Sequence, residues 1–221
     1  MEGERPEPSQ GRRRRVGAAP ETRAQLIRVG MEILTAQGFN GTGIDEVLRR
    51  VGVPKGSFYH YFRSKDAFGE AVIAGYGDYF ARKLERLFGD TGRPPLARLR
   101  AFVEEAKQGM RRYDFRRGCL VGNLAQEMAG MNEPFRARLS AILDDWRDRL
   151  TAVLSAAQAA GDLDAREDPR ALAEFFWVGW EGAVLRAKLE RSVAPLDHFA
   201  ETFFHHVLGQ EPSPSGPARP T

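Results

Sequence analysis

The sequence predicts an all-α protein of about nine helices, with a three-helix helix-turn-helix unit at the N-terminus and a larger helical domain behind it. Three observations predict this. Apolar residues recur with a period near 3.6 along most of the chain, and the Val/Ile/Thr alternation of strands is missing. Prolines stand at helix starts, where the first turn tolerates a missing N–H: Pro20, Pro54, Pro94–Pro95, Pro134, Pro169 and Pro195. Near the N-terminus, two short helical segments joined by Gly52 follow a longer one, the spacing of a helix-turn-helix.

Residues 1–19 are rich in Pro, Gly, Arg and Glu and read as a disordered arm. The first helix spans about Glu21 to Gln37, with Leu26, Ile27, Gly30, Ile33 and Leu34 inward and Gly38 past its end. The second spans Ile44 to Val51, and Thr42 with Asp45 resembles a capping box. Pro54 opens a third, ending near Tyr61, and Ser64 caps a long fourth, Lys65 to Phe88. Five more follow: to Tyr113, from Gly118 to Ala129, from Pro134 to Ala160, from Pro169 to Arg191, and from Pro195 to Leu208. Residues 210–221, with four prolines, read as a disordered tail. The expected divisions are 1–19, 20–66, 67–209 and 210–221.

Charge is unevenly placed. Residues 1–66 carry 12 Lys and Arg against 8 Asp and Glu, whereas the rest carries 21 against 22. A basic end suits nucleic acid. No apolar run approaches the roughly 18 residues that span a bilayer, and the N-terminus lacks the apolar stretch of a secretory signal. No membrane association and a cytoplasmic location are expected. The single cysteine, Cys119, excludes an intrachain disulfide and a Cys-rich metal site. No nucleophile–base arrangement and no phosphate-cradling loop is present. Neither an enzyme, nor a metal site, nor a cofactor is expected.

The third segment, VPKGSFYHYF, is chemically unusual. Phe58 and Phe62 lie one turn apart and suit the core, leaving Tyr59 and His60 to face outward. Lys55, Gly56 and Ser57 sit at the helix start, where free N–H groups favour phosphate. Thr42 and Lys65 stand at the starts of the neighbouring helices and can reach further phosphates. Spread from Thr42 to Asp66, the run TGIDEV…VGVPKGSFYHYFRSKD resembles the signature of the TetR family of transcriptional regulators. That resemblance implies a third helix in the major groove of double-stranded operator DNA. It gives Thr42, Tyr59, His60 and Lys65 to the backbone and Lys55 and Ser57 to base edges. Arg12–Arg15 reads either as a solubilising tail or as an arm tracking the DNA.

Two segments stand out in the second half. In RRGCLVGNLAQEM, Cys119, Asn123 and Gln126 share a helical face; in FFWVGWEGAVLRAKLE, Trp177, Glu181, Val184 and Lys188 form one stripe beside Trp180. A helix this apolar is buried, so Glu181, Arg186 and Lys188 need partners or a polar pocket. Both readings stand for these charges, and Trp177 and Trp180 suit core or dimer packing first and a pocket second. These stretches are similar to a TetR branch that senses small unsaturated acids such as acrylate, or reactive electrophiles. The resemblance implies a small-molecule effector in this domain. Arg186 or Lys188 could hold a carboxylate. Cys119, near a helix N-terminus and after Arg116–Arg117, has the setting that lowers a thiol pKa, although an inert buried thiol fits as well. Gly179, Gly182, Phe199, Phe203 and Val207 are expected to form a homodimer interface from the last two helices. The resemblance implies a four-helix bundle there.

Overall fold

A computed structural model describes residues 19–210. The expected arm with its Arg12–Arg15 run, and the tail beyond Gln210, lie outside the described residues. Nine α-helices and no strand occur among the described residues: α1 (Ala19–Gln37), α2 (Ile44–Val51), α3 (Phe58–Tyr61), α4 (Lys65–Phe88), α5 (Pro95–Arg112), α6 (Leu120–Met128), α7 (Glu133–Ala159), α8 (Pro169–Glu190) and α9 (Ala194–Thr202). No helix among them is long and apolar enough to cross a membrane.

Local chemistry sets most boundaries. The Ser64 side chain accepts the Ala67 N–H at 3.0 Å, Asn132 accepts that of Phe135 at 3.0 Å, and Asp168 accepts that of Arg170 at 2.9 Å. Each satisfies an amide the helix start leaves free. Gly52 ends α2 at φ 73°, a left-handed conformation that glycine adopts without a Cβ clash. The capping box at Thr42 does not form. Gly43 is the N-cap of α2, and the buried Thr42 hydroxyl donates to Gly38 O at 2.6 Å. The third helix is also shorter than expected: Lys55–Ser57 form a 3₁₀ turn before α3. Likewise the last helix changes to a wider π turn over Phe203–Val207.

Leu26, Ile33 and Leu34 of α1, Val47 and Leu48 of α2, and Phe58 and Phe62 close a small N-terminal core. Burying each large side chain contributes about 1.5–3 kcal/mol. The Phe58, Phe62 and Phe68 rings lie 5.1–5.8 Å apart, tying the recognition segment to α4. That core continues into the helical domain through Phe39 and Phe135, edge to face at 5.0 Å. Helix α4 runs unbroken across the division expected at residue 66 and packs against α1, α5 and α7. Beyond it, Phe102, Trp146, Phe176, Trp177 and Trp180 make a second aromatic core.

Candidate functional site: a recognition face and a ligand cavity

The 3₁₀ turn and α3 present one polar face outward. Tyr59 is 75% exposed, and Lys55, Gly56 and His60 are exposed beside it, while Ser57 is half-buried. They stand out because Phe58 and Phe62, the intervening aromatics, are locked inside. The Lys55 ammonium meets the Asp45 carboxylate of α2 at 2.6 Å, a fully solvated pair that raises the lysine pKa. Lys65, half-buried, rests its ammonium 4.7 Å over the Phe39 ring. Thr42 does not share this face. At 1% exposure, with its hydroxyl committed to Gly38, it has no free group for a phosphate. The turn before α2 buries the residue that sequence spacing alone placed at an accessible helix start.

Between α1 and the helical domain, residues of α1, α4, α5, the turn before α6, α8 and the start of α9 line a cavity of about 520 Å³. This lies within the roughly 300–1,000 Å³ of pockets for drug-sized ligands. Its wall includes Tyr76, Phe80 and Lys83 of α4, Cys119 at the start of α6, and Trp180 and Glu181 of α8. The Cys119 thiol is packed with Tyr76 and Glu181 into one polar cluster. Burial pushes the Cys119 thiol well up, and the Glu181 charge beside it adds to that; the Tyr76 phenol rises for the same causes. Burial raises the Glu181 carboxyl to about 7.

The expected activation of Cys119 is therefore reversed. Arg116 is exposed, and the Arg117 guanidinium bonds Glu32 at 3.2 Å and stacks 3.8 Å over Tyr113. The Gly122 N–H donates to the sulfur at 3.5 Å, but desolvation beside a carboxyl outweighs it.

Four of the expected ligand groups lie off the cavity wall. Trp177 is buried in the core and donates its indole N–H to Trp146 O at 3.0 Å. Asn123 donates to Thr35 O of α1 at 2.8 Å. Arg186 is exposed and paired with Glu190 at 2.6 Å, one turn along the solvent side. Lys188 runs its stem past Gly118 without reaching the cavity. An alternating apolar and charged pattern on α8 cannot tell a cavity wall from a helix flank.

Two groups of residues escaped the pattern. Glu127, at the end of α6, accepts the Phe39 and Asn40 N–H groups, each at 2.7 Å. With the Asn123–Thr35 bond it fastens α6 to the end of α1 and the loop leading to α2. The nine-residue α6 thus has its N-cap Cys119, of the cavity wall, at one end and the helix-turn-helix unit at the other. The second group is Phe175, Val178, Leu185 and Leu189, which with the expected Gly182 form an outward, exposed stripe on α8, with Val178 at 68% and Leu189 at 81%. Its 3-4-3-4 spacing is the signature of a helix seam and was legible in the sequence. By contrast Phe203 is 1% exposed, and the Phe199 ring packs on Gly179 so closely that a Cβ there would collide with it. Gly179, Phe199 and Phe203 join α8 to α9 within one protomer. Val207 is half-buried, and Gly182 remains on the outward stripe.

The titration of Glu181 has a consequence for stability. An unfolded glutamate titrates near 4.3 and the folded one near 7, so the native state holds an extra proton between those values. Stability then falls as pH rises through this window, by up to about 3–4 kcal/mol, and levels off above it. Glu181→Gln is expected to flatten this part of the profile, and urea unfolding between pH 5 and pH 8 measures it. An unchanged slope in the variant would show that Glu181 does not hold that proton.

Comparison with known proteins agrees with this geometry. Residues 26–72 match the model of bacterial regulatory proteins of the tetR family, and residues 95–203 match the tetracyclin repressor-like C-terminal domain. The transcriptional regulator AcuR of Cereibacter sphaeroides is 52% identical over 201 residues, covering 91% of this chain and 92% of the relative. The HTH-type transcriptional repressor NemR of Escherichia coli is 33% identical, covering 80% and 89%. A crystal structure of regulatory protein TetR from Rhodobacter sphaeroides superposes with a TM-score of 0.81 at 52% identity, covering 86% of this chain and 99% of that one. Matched along both its N-terminal and its C-terminal helices, the chain belongs to the TetR family of transcriptional regulators and is not an enzyme.

Proposed function

We propose that the protein is a repressor that binds palindromic operator DNA as a homodimer. It leaves the operator when an α,β-unsaturated carboxylic acid occupies the cavity. The observation that carries this reading is α6, whose N-cap Cys119 lines the cavity while its Asn123 and Glu127 are bonded to the DNA-binding unit. A ligand that displaces α6 biases the spacing of the two recognition segments in the dimer, and the population shifts away from the DNA-bound form. Lys55, Gly56, Ser57, Tyr59 and His60 make the DNA contacts, with Lys65 on a flanking phosphate. Lys55 exchanges Asp45 for the DNA when it binds. The α8 stripe supplies the dimer contact, placing the two recognition segments about one DNA turn apart.

A second reading, covalent capture of an electrophile by Cys119, is favoured by one contact. Glu181 beside the thiol titrates close to neutral pH and can take its proton as sulfur attacks, returning it to the adduct. The raised thiol pKa makes this slower than reversible binding.

A gel shift on the DNA upstream of the protein's own gene tests both readings. The wild type is expected to retard it, and Lys55→Ala with Tyr59→Ala to weaken retardation roughly tenfold or more. Acrylate should release the wild-type complex. If N-ethylmaleimide releases wild type and Cys119→Ser alike, the covalent reading is wrong. If no retardation occurs at moderate salt, the DNA-binding assignment is wrong.

A further inference from the structure

The cavity has two chemically different ends. Lys83 and Tyr76 are seven residues apart on α4, hence on one face and about 10 Å apart along the axis. At the Tyr76 end stand the phenol, the Cys119 thiol and the Glu181 carboxyl. At the other end lies the Lys83 ammonium, 5.7 Å from both the Phe80 and the Phe102 ring centroids, on a side chain only 13% exposed. Its acidic neighbour, Glu105, is 3.5 Å away. That carboxylate already holds Arg86 through two bonds, at 2.8 and 2.6 Å. Two cations share one anion, so a net positive charge remains at the Lys83 end. The other cations of the wall are placed differently: Arg28 and Arg82 are exposed, and Arg117 is bound to Glu32. Between the two ends the lining is aromatic, with Phe80, Phe102 and Trp180.

A three-carbon acid bound at Lys83 would leave most of about 520 Å³ unfilled. Lying against Phe80 and Phe102, it would contact only part of this wall. We propose that the cavity is built for an aryl-substituted unsaturated monocarboxylate. Its carboxylate lies at Lys83, its apolar body runs along Phe80, Phe102 and Trp180, and its far end points to Tyr76 and Cys119. This rests on the reading of the cavity as an acid-binding site and specifies which acid, and which residue anchors it.

The test uses trans-cinnamate, its neutral amide and acrylate as probes in calorimetric titrations of the full-length protein. Wild type is expected to bind cinnamate at least roughly tenfold more tightly than either cinnamamide or acrylate. Lys83→Met keeps the stem and removes the charge. It should weaken cinnamate roughly tenfold or more, the order a charge-assisted hydrogen bond contributes, and leave cinnamamide within about twofold. Lys83→Arg should retain cinnamate binding, and wild-type selectivity for acid over amide stands as evidence even where a variant fails to fold. Equal cinnamate binding by wild type and a folded Lys83→Met would overturn the anchor. Acrylate binding as tightly as cinnamate would overturn the assigned ligand size, while leaving the acid-binding reading intact. Binding of neither acid to wild type would overturn that reading and this one together.

Discussion

Replacing Val178 and Leu185 with aspartate is expected to turn the dimer into a monomer and abolish operator retention. Both side chains lie on the outward stripe of α8, Val178 at 68% and Leu185 at 47% exposure. In a two-fold interface each substitution occurs twice, so four carboxylates would enter an apolar contact. Burying an unpaired charge costs several kcal/mol, and a dissociation constant at least about a hundredfold higher follows. Because both side chains face out of the protomer, the monomer itself should keep its helical content. Light scattering at micromolar concentration and circular dichroism measure the two effects separately. A variant that stays dimeric would move the interface off this stripe. A single DNA-binding unit engages one half-site, so loss of the dimer should remove binding to a full palindrome even with every DNA-contacting residue intact.

Glu127→Ala should separate the two ends of α6. The wild-type carboxylate receives two backbone N–H groups, each at 2.7 Å, and each such bond to a charged acceptor contributes about 1.5–3 kcal/mol. Phe39 is buried, so its amide would lose its partner without gaining full hydration. A loss of about 2–4 kcal/mol of unfolding free energy is expected, with Glu127→Gln intermediate because it keeps one carbonyl acceptor. The diagnostic effect is on coupling. With the clamp gone, a bound acid should still occupy the cavity but shift operator affinity far less than in wild type. Titrating operator with and without acrylate, beside direct ligand titration, gives both numbers. A fully retained acid response in a destabilised variant would make Glu127 a structural residue only.

Local features were legible because they depend on neighbours in sequence. Helix starts follow Ser64, Asn132 and Asp168, whose short side chains reach amides two or three residues on. The alternation of buried Phe58 and Phe62 with exposed Tyr59 and His60 follows from helical spacing. Where the reading failed, the partner was distant in the chain. Thr42 looked like a cap, but its hydroxyl turns back to Gly38 because the loop before α2 folds inward. Asn123 looked like a pocket group, and Thr35, 88 residues earlier, takes its amide. Arg116 and Arg117 were expected to acidify Cys119, yet one is exposed and the other is held by Glu32, 85 residues away.

By itself, the sequence determined the helices and the recognition segment, since periodicity, capping and the family signature are local properties. The tertiary structure decided which cations see the cavity, which aromatics pack within a protomer and which way the Cys119 pKa moves. Those depend on burial and on contacts between helices far apart in the chain. Arg186 is neutralised by Glu190 in solvent, whereas Lys83, unremarkable in the sequence, is carried by α4 onto two aromatic rings in the cavity wall.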